Sequence, residues 1–150
     1  MLKQTYQGYV TTGQWKTLAL HDPAGAEPGP RPIVGVGRFE VEGAYFRSRR
    51  QDADLQVEVQ VHSSKAPFPE GWDYVPLPIT AVFPSRRAWL YGPPGYEGLG
   101  RQRIEGIELP SDRVWIRAAV NGLDAEDAAQ EQWLILVWPN RSPFHIASQF

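Results

Sequence analysis

Apolar and polar residues alternate along much of this chain with the period of two that is typical of β-strands. The clearest example is residues 54–64. Its apolar residues share one face and its polar residues share the other: Leu55, Val57, Val59 and Val61 against Gln56, Glu58, Gln60 and His62. One apolar face and one water-facing polar face are typical of an antiparallel sheet.

Five further segments have the composition or the alternation of strands: residues 15–22, 33–43, 75–83, 86–91 and 103–110. Pro76 and Pro78 cannot donate to a sheet ladder, so they confine the third of these to an edge. A strict alternation through residues 103–110 places Ile104 and Ile107 on opposite faces.

The last two predicted strands, residues 113–121 and 132–138, are the most apolar. In the second of them both faces are apolar, with Trp133, Ile135 and Val137 alternating with Leu134, Leu136 and Trp138. A strand that is apolar on both sides is expected at the centre of a sheet that is covered on both faces. Pro139 is expected to end it.

The many Pro and Gly residues of the chain favour an all-β fold. Fourteen Pro and fourteen Gly in 150 residues disfavour long helices, and turn signals recur about every ten residues. No strand–helix–strand spacing indicates a parallel sheet. We predict one domain over residues 1–150: an antiparallel two-sheet β-sandwich with long Pro/Gly-rich loops and at most one short helical turn.

Charge and composition narrow the function classes. The net charge of −2 lacks the excess of Lys and Arg that general nucleic-acid binding requires. The absence of Cys excludes disulfides and thiol chemistry, and the longest apolar run, Trp133–Trp138, is too short to cross a membrane. We expect a cytoplasmic protein that binds neither nucleic acid nor a membrane and needs no cofactor.

An acidic loop between the last two strands is the first candidate site. It carries four carboxylates: Asp124, Glu126, Asp127 and Glu131. They could hold calcium, although the ligand order of an EF-hand is missing. They could also belong to a solvated loop or to one short helical turn with Asp124 as the N-cap and Asp127 at N3, or they could contact a basic partner.

Aromatic residues in two loops form the second candidate site. Trp72 and Tyr74 follow one Pro-rich stretch, and Tyr91 and Tyr96 flank another. Aromatic side chains are enriched at protein-binding hot spots, and Pro beside them lowers the entropic cost of binding. The alternative is that these rings close one end of the sandwich.

No pattern for catalysis emerges. The chain lacks the Gly-x-Ser-x-Gly elbow, and its three His (His21, His62 and His145) lie on different predicted segments. His21 and His145 could bind a metal only if their segments pair. A carboxylate pair drawn from Glu58, Glu105 and Glu108 could do acid–base chemistry if the fold brought two of them together. Two basic clusters could contact phosphate, but nearby acidic residues offset the first of them, which favours a mixed-charge surface: Arg47, Arg49 and Arg50, and Arg86 and Arg87.

The C-terminal segment resembles a group of small bacterial proteins without an assigned activity. The shared features are a Leu-Pro turn, an Arg-containing strand, a Gly-x-Asp, an acidic loop ending in Glu, and a strand ending in Trp-Pro: Leu109-Pro110, residues 113–120, Gly122, Asp124, Glu131 and Trp138-Pro139. Asp112, Val114, Trp115 and Asn121 depart from the pattern. The resemblance implies a bacterial β-sandwich protein, and the composition is loosely similar to that of immunity proteins.

These observations favour a non-enzymatic protein-binding module, such as an immunity or inhibitor protein that neutralises a basic toxin or nuclease. Its expected contact residues are the four loop carboxylates and the four loop aromatics. A carbohydrate-binding sandwich that uses the same aromatic rings is the first alternative. A carboxylate-dependent hydrolase is the second.

Overall fold

A computed structural model describes residues 1–24, 43–93 and 101–141. Those residues contain nine strands and one 3₁₀ turn. The strands are β1 (Leu2–Thr11), β2 (Thr17–His21), β3 (Ala44–Arg47), β4 (Asp54–His62), β5 (Ile79–Val82), β6 (Arg87–Tyr91), β7 (Ile104–Glu108), β8 (Arg113–Asn121) and β9 (Gln132–Pro139). The 3₁₀ turn, η1, covers Ala128–Gln130. The predicted all-β fold with one short helical turn is confirmed.

The strands form two sheets. One has five strands in the order β1-β4-β9-β8-β5, and the other has four in the order β3-β2-β6-β7. β9 is the central strand of the larger sheet and β5 is an edge, as their apolar pattern and prolines predict. β4 and β9 pair in parallel, while the other described pairs are antiparallel, so the sheets are antiparallel in the main.

The main core lies between the two sheets. It includes the apolar face of β4, the inward residues of β8 and β9, and Leu18, Leu20 and Leu90 from the smaller sheet. A second cluster covers the opposite face of the larger sheet, where Leu134, Leu136 and Trp138 pack with Ala66 and Ala119. The alternating side chains of β9 therefore enter two separate cores, which is why both of its faces are apolar.

Strand β7 departs from the predicted alternation. Ile104 and Ile107 are both buried, although they are three residues apart. Gly106 lies between them with a φ of 69°, and the pairing of β6 with β7 is irregular at this level. The left-handed backbone at Gly106 shifts the alternation by one residue, as a bulge does. The expectation of opposite faces was wrong because it assumed regular pairing.

Two strands were not predicted. β1 is largely exposed and polar over its first half, because it is an edge strand, and β3 has only four residues. Most of the predicted strand at residues 33–43 lies outside the described residues, as do Tyr96 and His145. In the described ranges, no helix has the length and apolar character to span a bilayer.

Candidate functional site

The acidic loop, residues 122–131, connects the adjacent strands β8 and β9. Gly122 leaves β8 with a φ of 70°, and the Ala125 amide donates to its carbonyl over 3.0 Å. The Asp127 carboxylate then accepts the Ala129 amide over 2.9 Å and so caps η1. The cap is therefore Asp127 rather than Asp124, which was the residue expected from the sequence.

Glu131 ends the loop inside the protein. Its side chain is fully buried, with hydrogen bonds from the Ser48 hydroxyl and the Trp133 indole N–H at 2.7 Å each. Arg50 Nε completes the set at 3.1 Å from Oε1. A buried charge is tolerated only when it is paired and hydrogen-bonded, and this carboxylate satisfies both conditions. Glu131 thus anchors the end of the loop in the interior of the protein. Its side chain is not accessible to a partner in this conformation.

Arg50 also holds the middle of the acidic loop. Its guanidinium donates to the carbonyl oxygens of Ala125 and Glu126, the latter over 3.2 Å. The rigid fork of five N–H donors suits such a multiple contact. One Arg thereby joins the connection between β3 and β4 to three points of a loop that lies 75–81 residues further along the chain.

Arg49 forms an ion pair with the same loop, but at the protein surface. It pairs with Asp124, and both side chains are mostly exposed, at 66% and 77%. Exposed ion pairs are weak and contribute little to stability. Because this pair is exposed, Asp124 remains accessible to water and to other cations. Neither Arg was predicted to touch the acidic loop, because no local signal in the sequence links two segments so far apart.

Tyr74 lies beside the acidic loop. Its backbone pairs with Val120 of β8 through two hydrogen bonds of 2.9 and 3.1 Å, while its side chain remains 59% exposed. The preceding residue, Asp73, accepts the Gly122 amide over 3.0 Å and donates its own amide to Asn121 over 2.7 Å. The aromatic segment and the acidic loop are therefore fixed to each other at the end of β8.

These residues line one open cleft of about 650 Å³, which we call the acidic cleft. It is formed by Arg49, Asp73, Tyr74, Gly122, Leu123, Asp124 and Ala125. Glu126 and Asp127, which follow in the loop, are also exposed. The cleft lining and the two loop residues after it thus carry four exposed carboxylates and one exposed Arg, and Tyr74 adds an exposed aromatic residue beside them.

The other predicted aromatic contacts lie elsewhere. Trp72 is half-buried and packs against the second apolar cluster, so it covers the outer face of the larger sheet rather than an end of the sandwich. Tyr91 is 2% exposed within β6. Tyr96 lies outside the described residues, so only Tyr74 among the described three presents a ring to solvent at the acidic cleft.

The candidate catalytic groups are spread over the fold. His21 and His62 are buried on β2 and β4, which belong to different sheets. Glu105 and Glu108 lie on β7 in the smaller sheet, whereas Glu58 lies on β4 in the larger one. Among residues 1–24, 43–93 and 101–141, no three His, Asp or Glu side chains are grouped so that they could hold a metal ion.

Two solved structures have a similar fold. One is ComJ from Bacillus subtilis, an inhibitor of the DNA-degrading activity of NucA, with a TM-score of 0.65 and 8% identity over 93% of this chain and 99% of that chain. The other is the product of crocagin biosynthetic gene J, with a TM-score of 0.61 and 14% identity over 94% of this chain and 100% of that one. At such identities the likeness shows the fold alone.

Neither a protein family nor a curated protein matches the sequence. The resemblance of the C-terminal segment to small bacterial proteins therefore remains a prediction.

Proposed function

We propose that this chain is a non-enzymatic inhibitor that binds a nuclease or a toxin of bacterial origin through the acidic cleft. The observation that carries the proposal is that Tyr74 lines one cleft with the exposed carboxylates of Asp73 and Asp124, and that exposed Glu126 and Asp127 follow in the same loop. Negative charge around an exposed aromatic ring is the arrangement of a binding surface for a basic protein.

A nuclease is a suitable partner on physical grounds. Its substrate-binding surface must attract phosphates, so it carries Lys and Arg. A row of carboxylates on an inhibitor presents the same charge as the nucleic-acid backbone and competes for the same cations. Attraction between the two surfaces also accelerates encounter, and salt weakens this acceleration.

The acidic cleft is preorganised for such a contact. Arg50 and Glu131 hold the loop backbone from below, and Asp73 ties it to the segment that carries Tyr74. A loop that is already ordered loses little conformational entropy when it binds. A flexible acidic loop of the same composition would bind more weakly at equal charge.

The similarity to ComJ supports the same role. ComJ has this fold over nearly its whole length, and it inhibits the DNA-degrading activity of NucA. At 8% identity, no contact residue can be transferred from ComJ to this chain. The acidic cleft is therefore proposed from its own geometry.

The test is capture of a partner from a lysate of the native host, followed by a nuclease assay of the captured protein. The bait is the wild-type chain, and the test variant is D124N/E126Q, which leaves Asp127 to cap η1. The matched control is E105Q/E108Q, which removes the same charge from exposed positions on β7. We expect the wild type and the control to capture and inhibit one nucleic-acid-degrading protein.

The D124N/E126Q variant should capture much less of that protein. The proposal is overturned if no captured protein is inhibited, or if the two double variants lose capture equally. Circular dichroism and thermal unfolding of all three baits establish that they are folded.

A further inference from the structure

A second groove crosses the outer face of the larger sheet and borders the acidic cleft, since Trp72 precedes Asp73 in the chain and Gln132 pairs with Asn121, the residue before Gly122. It has a volume of about 580 Å³ and runs over β1, β4 and β9. Four glutamines from these three strands line it: Gln7, Gln56, Gln60 and Gln132. The one charged side chain in its lining is that of Glu58, and the lining contains no Lys or Arg. We call it the amide groove.

Sheet register creates this array. Tyr9, Gln56 and Gln132 are directly opposite one another on β1, β4 and β9, and Gln7 is opposite Glu58. Residues opposite each other on neighbouring strands project to the same side of a sheet, with side chains about 5 Å apart. The polar faces of β1 and β4 therefore form one continuous surface, which reaches β9 at Gln132.

Hydrogen bonds between the side chains fix the array. The Glu58 carboxylate accepts the Gln7 amide over 2.6 Å and the Gln60 amide over 2.5 Å. Gln60 Oε1 is in turn 3.1 Å from Nε2 of His62, and Gln132 Nε2 lies 3.5 Å from Gln56 Oε1. A ligand would meet groups that are already oriented, so binding would cost little side-chain entropy.

Two aromatic side chains, Tyr9 and Trp72, are available in the amide groove, whereas the third aromatic residue of its lining, Trp133, belongs to the main core. Tyr9 is on the edge strand β1 and is 51% exposed. Trp72 comes from the segment that covers the β9 side of this face, where it packs near Leu134 and Leu136. The amide array thus extends between an aromatic residue at the sheet edge and another on the covering segment.

We propose that the amide groove binds a neutral carbohydrate of two or more sugar units. Hydroxyl groups of a sugar both donate and accept, and the primary amides and carboxylate of the groove offer both functions. The C–H faces of sugar rings can rest on Tyr9 and Trp72, whose ring faces are apolar and carry partial negative charge. The volume lies within the range of small-molecule sites, roughly 300–1,000 Å³.

The chemistry of the groove disfavours other ligands. A phosphate or a sugar acid would face the charge of Glu58 without a cation in the lining. A peptide in extended form usually adds to a free sheet edge through its backbone. Most of the groove lies over β4 and β9, which are paired on both sides, so their backbone groups are already bound and β1 alone is an edge strand. Over β4 and β9, recognition must therefore come from side chains, as in carbohydrate binding.

The experiment uses the full chain and neutral oligosaccharides of glucose, xylose, galactose and N-acetylglucosamine. A glycan array selects the class of sugar, and titration in an ¹H–¹⁵N NMR spectrum measures binding of the selected oligosaccharide. We expect saturable shifts at the side-chain amides of Gln7, Gln56, Gln60 and Gln132, with smaller changes elsewhere. Side-chain amide signals report contact at the groove itself.

The test variant is Q56A/Q132A, since both residues are exposed. The matched control is Gln4→Ala, which removes an exposed amide from β1 outside the groove lining. Q56A/Q132A should bind the selected sugar about tenfold more weakly or worse, and Gln4→Ala should bind as the wild type does. Tyr9→Ala should also weaken binding, with unfolding midpoints confirming that each variant is folded.

The proposal is overturned if the wild type binds none of these oligosaccharides, or if Q56A/Q132A binds them unchanged. It is also overturned if Q56A/Q132A loses capture of the protein partner, which would make the groove part of a protein interface. The inhibitor role is tested separately with D124N/E126Q, whose carboxylates do not line the groove. Failure of one proposal can therefore be distinguished from failure of the other.

Discussion

Nε of Arg50 lies 3.1 Å from the fully buried Oε1 of Glu131, whereas the adjacent Arg49 pairs with Asp124 on the surface. Two consecutive arginines thus hold opposite ends of one acidic loop in different environments. The buried contact orders the loop, and the exposed contact leaves its charge accessible. The acidic cleft depends on both contacts, because one orders its loop and the other keeps a carboxylate of that loop at the surface.

Arg50→Ala should strongly destabilise the fold. The substitution leaves the Glu131 carboxylate buried without its cation, and breaking such a pair costs about 3–5 kcal/mol. The free energy of unfolding, measured by urea titration at neutral pH, checks this. Arg49→Ala is the matched control and should cost at most about 1 kcal/mol, because its ion pair is exposed. Equal costs for the two variants would contradict the structural role of the buried pair.

Gly122→Ala should be more costly than Gly106→Ala. Both glycines have a φ near 70° (70° and 69°), so Ala at either position incurs the left-handed penalty of about 1–2 kcal/mol. At Gly122 a Cβ would also overlap the backbone carbonyl of Gln130, whereas at Gly106 it would meet nothing within 4 Å. Overpacking of this kind adds about 1–3 kcal/mol. Similar unfolding free energies for the two variants would show that the acidic loop can shift freely.

Asp22 should make stability depend on pH. Burial by itself raises the pKa of this carboxyl, but hydrogen bonds from Ser85 N and Oγ and from Ala24 N together outweigh that effect, so its pKa lies below the ordinary value. The folded state therefore favours the charged form. This stabilisation is present above the ordinary pKa and is lost as the pH falls through the lowered one.

Asp22→Asn should consequently destabilise the protein at pH 7, and its difference from the wild type should shrink in strongly acidic solution. Unfolding free energies measured from pH 7 downward test this expectation. Ser85→Ala, which removes one donor to the carboxylate, should lessen the pH dependence. A difference between Asp22→Asn and the wild type that stays constant with pH would refute the assignment.

Tyr74→Ala and Trp72→Ala should separate binding from stability. Tyr74 is 59% exposed, so its removal should change the free energy of unfolding little but weaken inhibitor–partner affinity by about 2 kcal/mol if it is a hot spot. Trp72 packs on the second apolar cluster, and its loss should instead destabilise the fold by up to about 3 kcal/mol. Calorimetric binding and urea unfolding of both variants measure the two effects.

The association rate with the captured partner should fall as salt increases. The carboxylates of the acidic cleft accelerate encounter with a basic surface, and salt screens this attraction over about 8 Å at physiological ionic strength. D124N/E126Q should associate more slowly than the wild type and show a weaker salt dependence, whereas E105Q/E108Q should retain most of both. Stopped-flow measurements at several salt concentrations provide the rates.

Alternation along the chain was enough to predict the strand character and the inward face of β4, and two-sided apolarity predicted that β9 is central. Both inferences rest on the transfer of individual side chains out of water, a property that each residue carries with it. Pro76 and Pro78 predicted the edge position of β5 because a missing N–H is likewise local. The four-carboxylate loop was also visible in the sequence, together with its short turn.

Only the tertiary structure decided which of those carboxylates lie at the surface. Glu131 is as polar in the sequence as Asp124, yet it is buried because Ser48, Arg50 and Trp133 supply donors around it. The parallel pairing of β4 with β9 and the amide groove across them were decided in the same way. The sequence determined which residues prefer water. Hydrogen bonds between distant segments determined at which positions a polar side chain could be buried away from water.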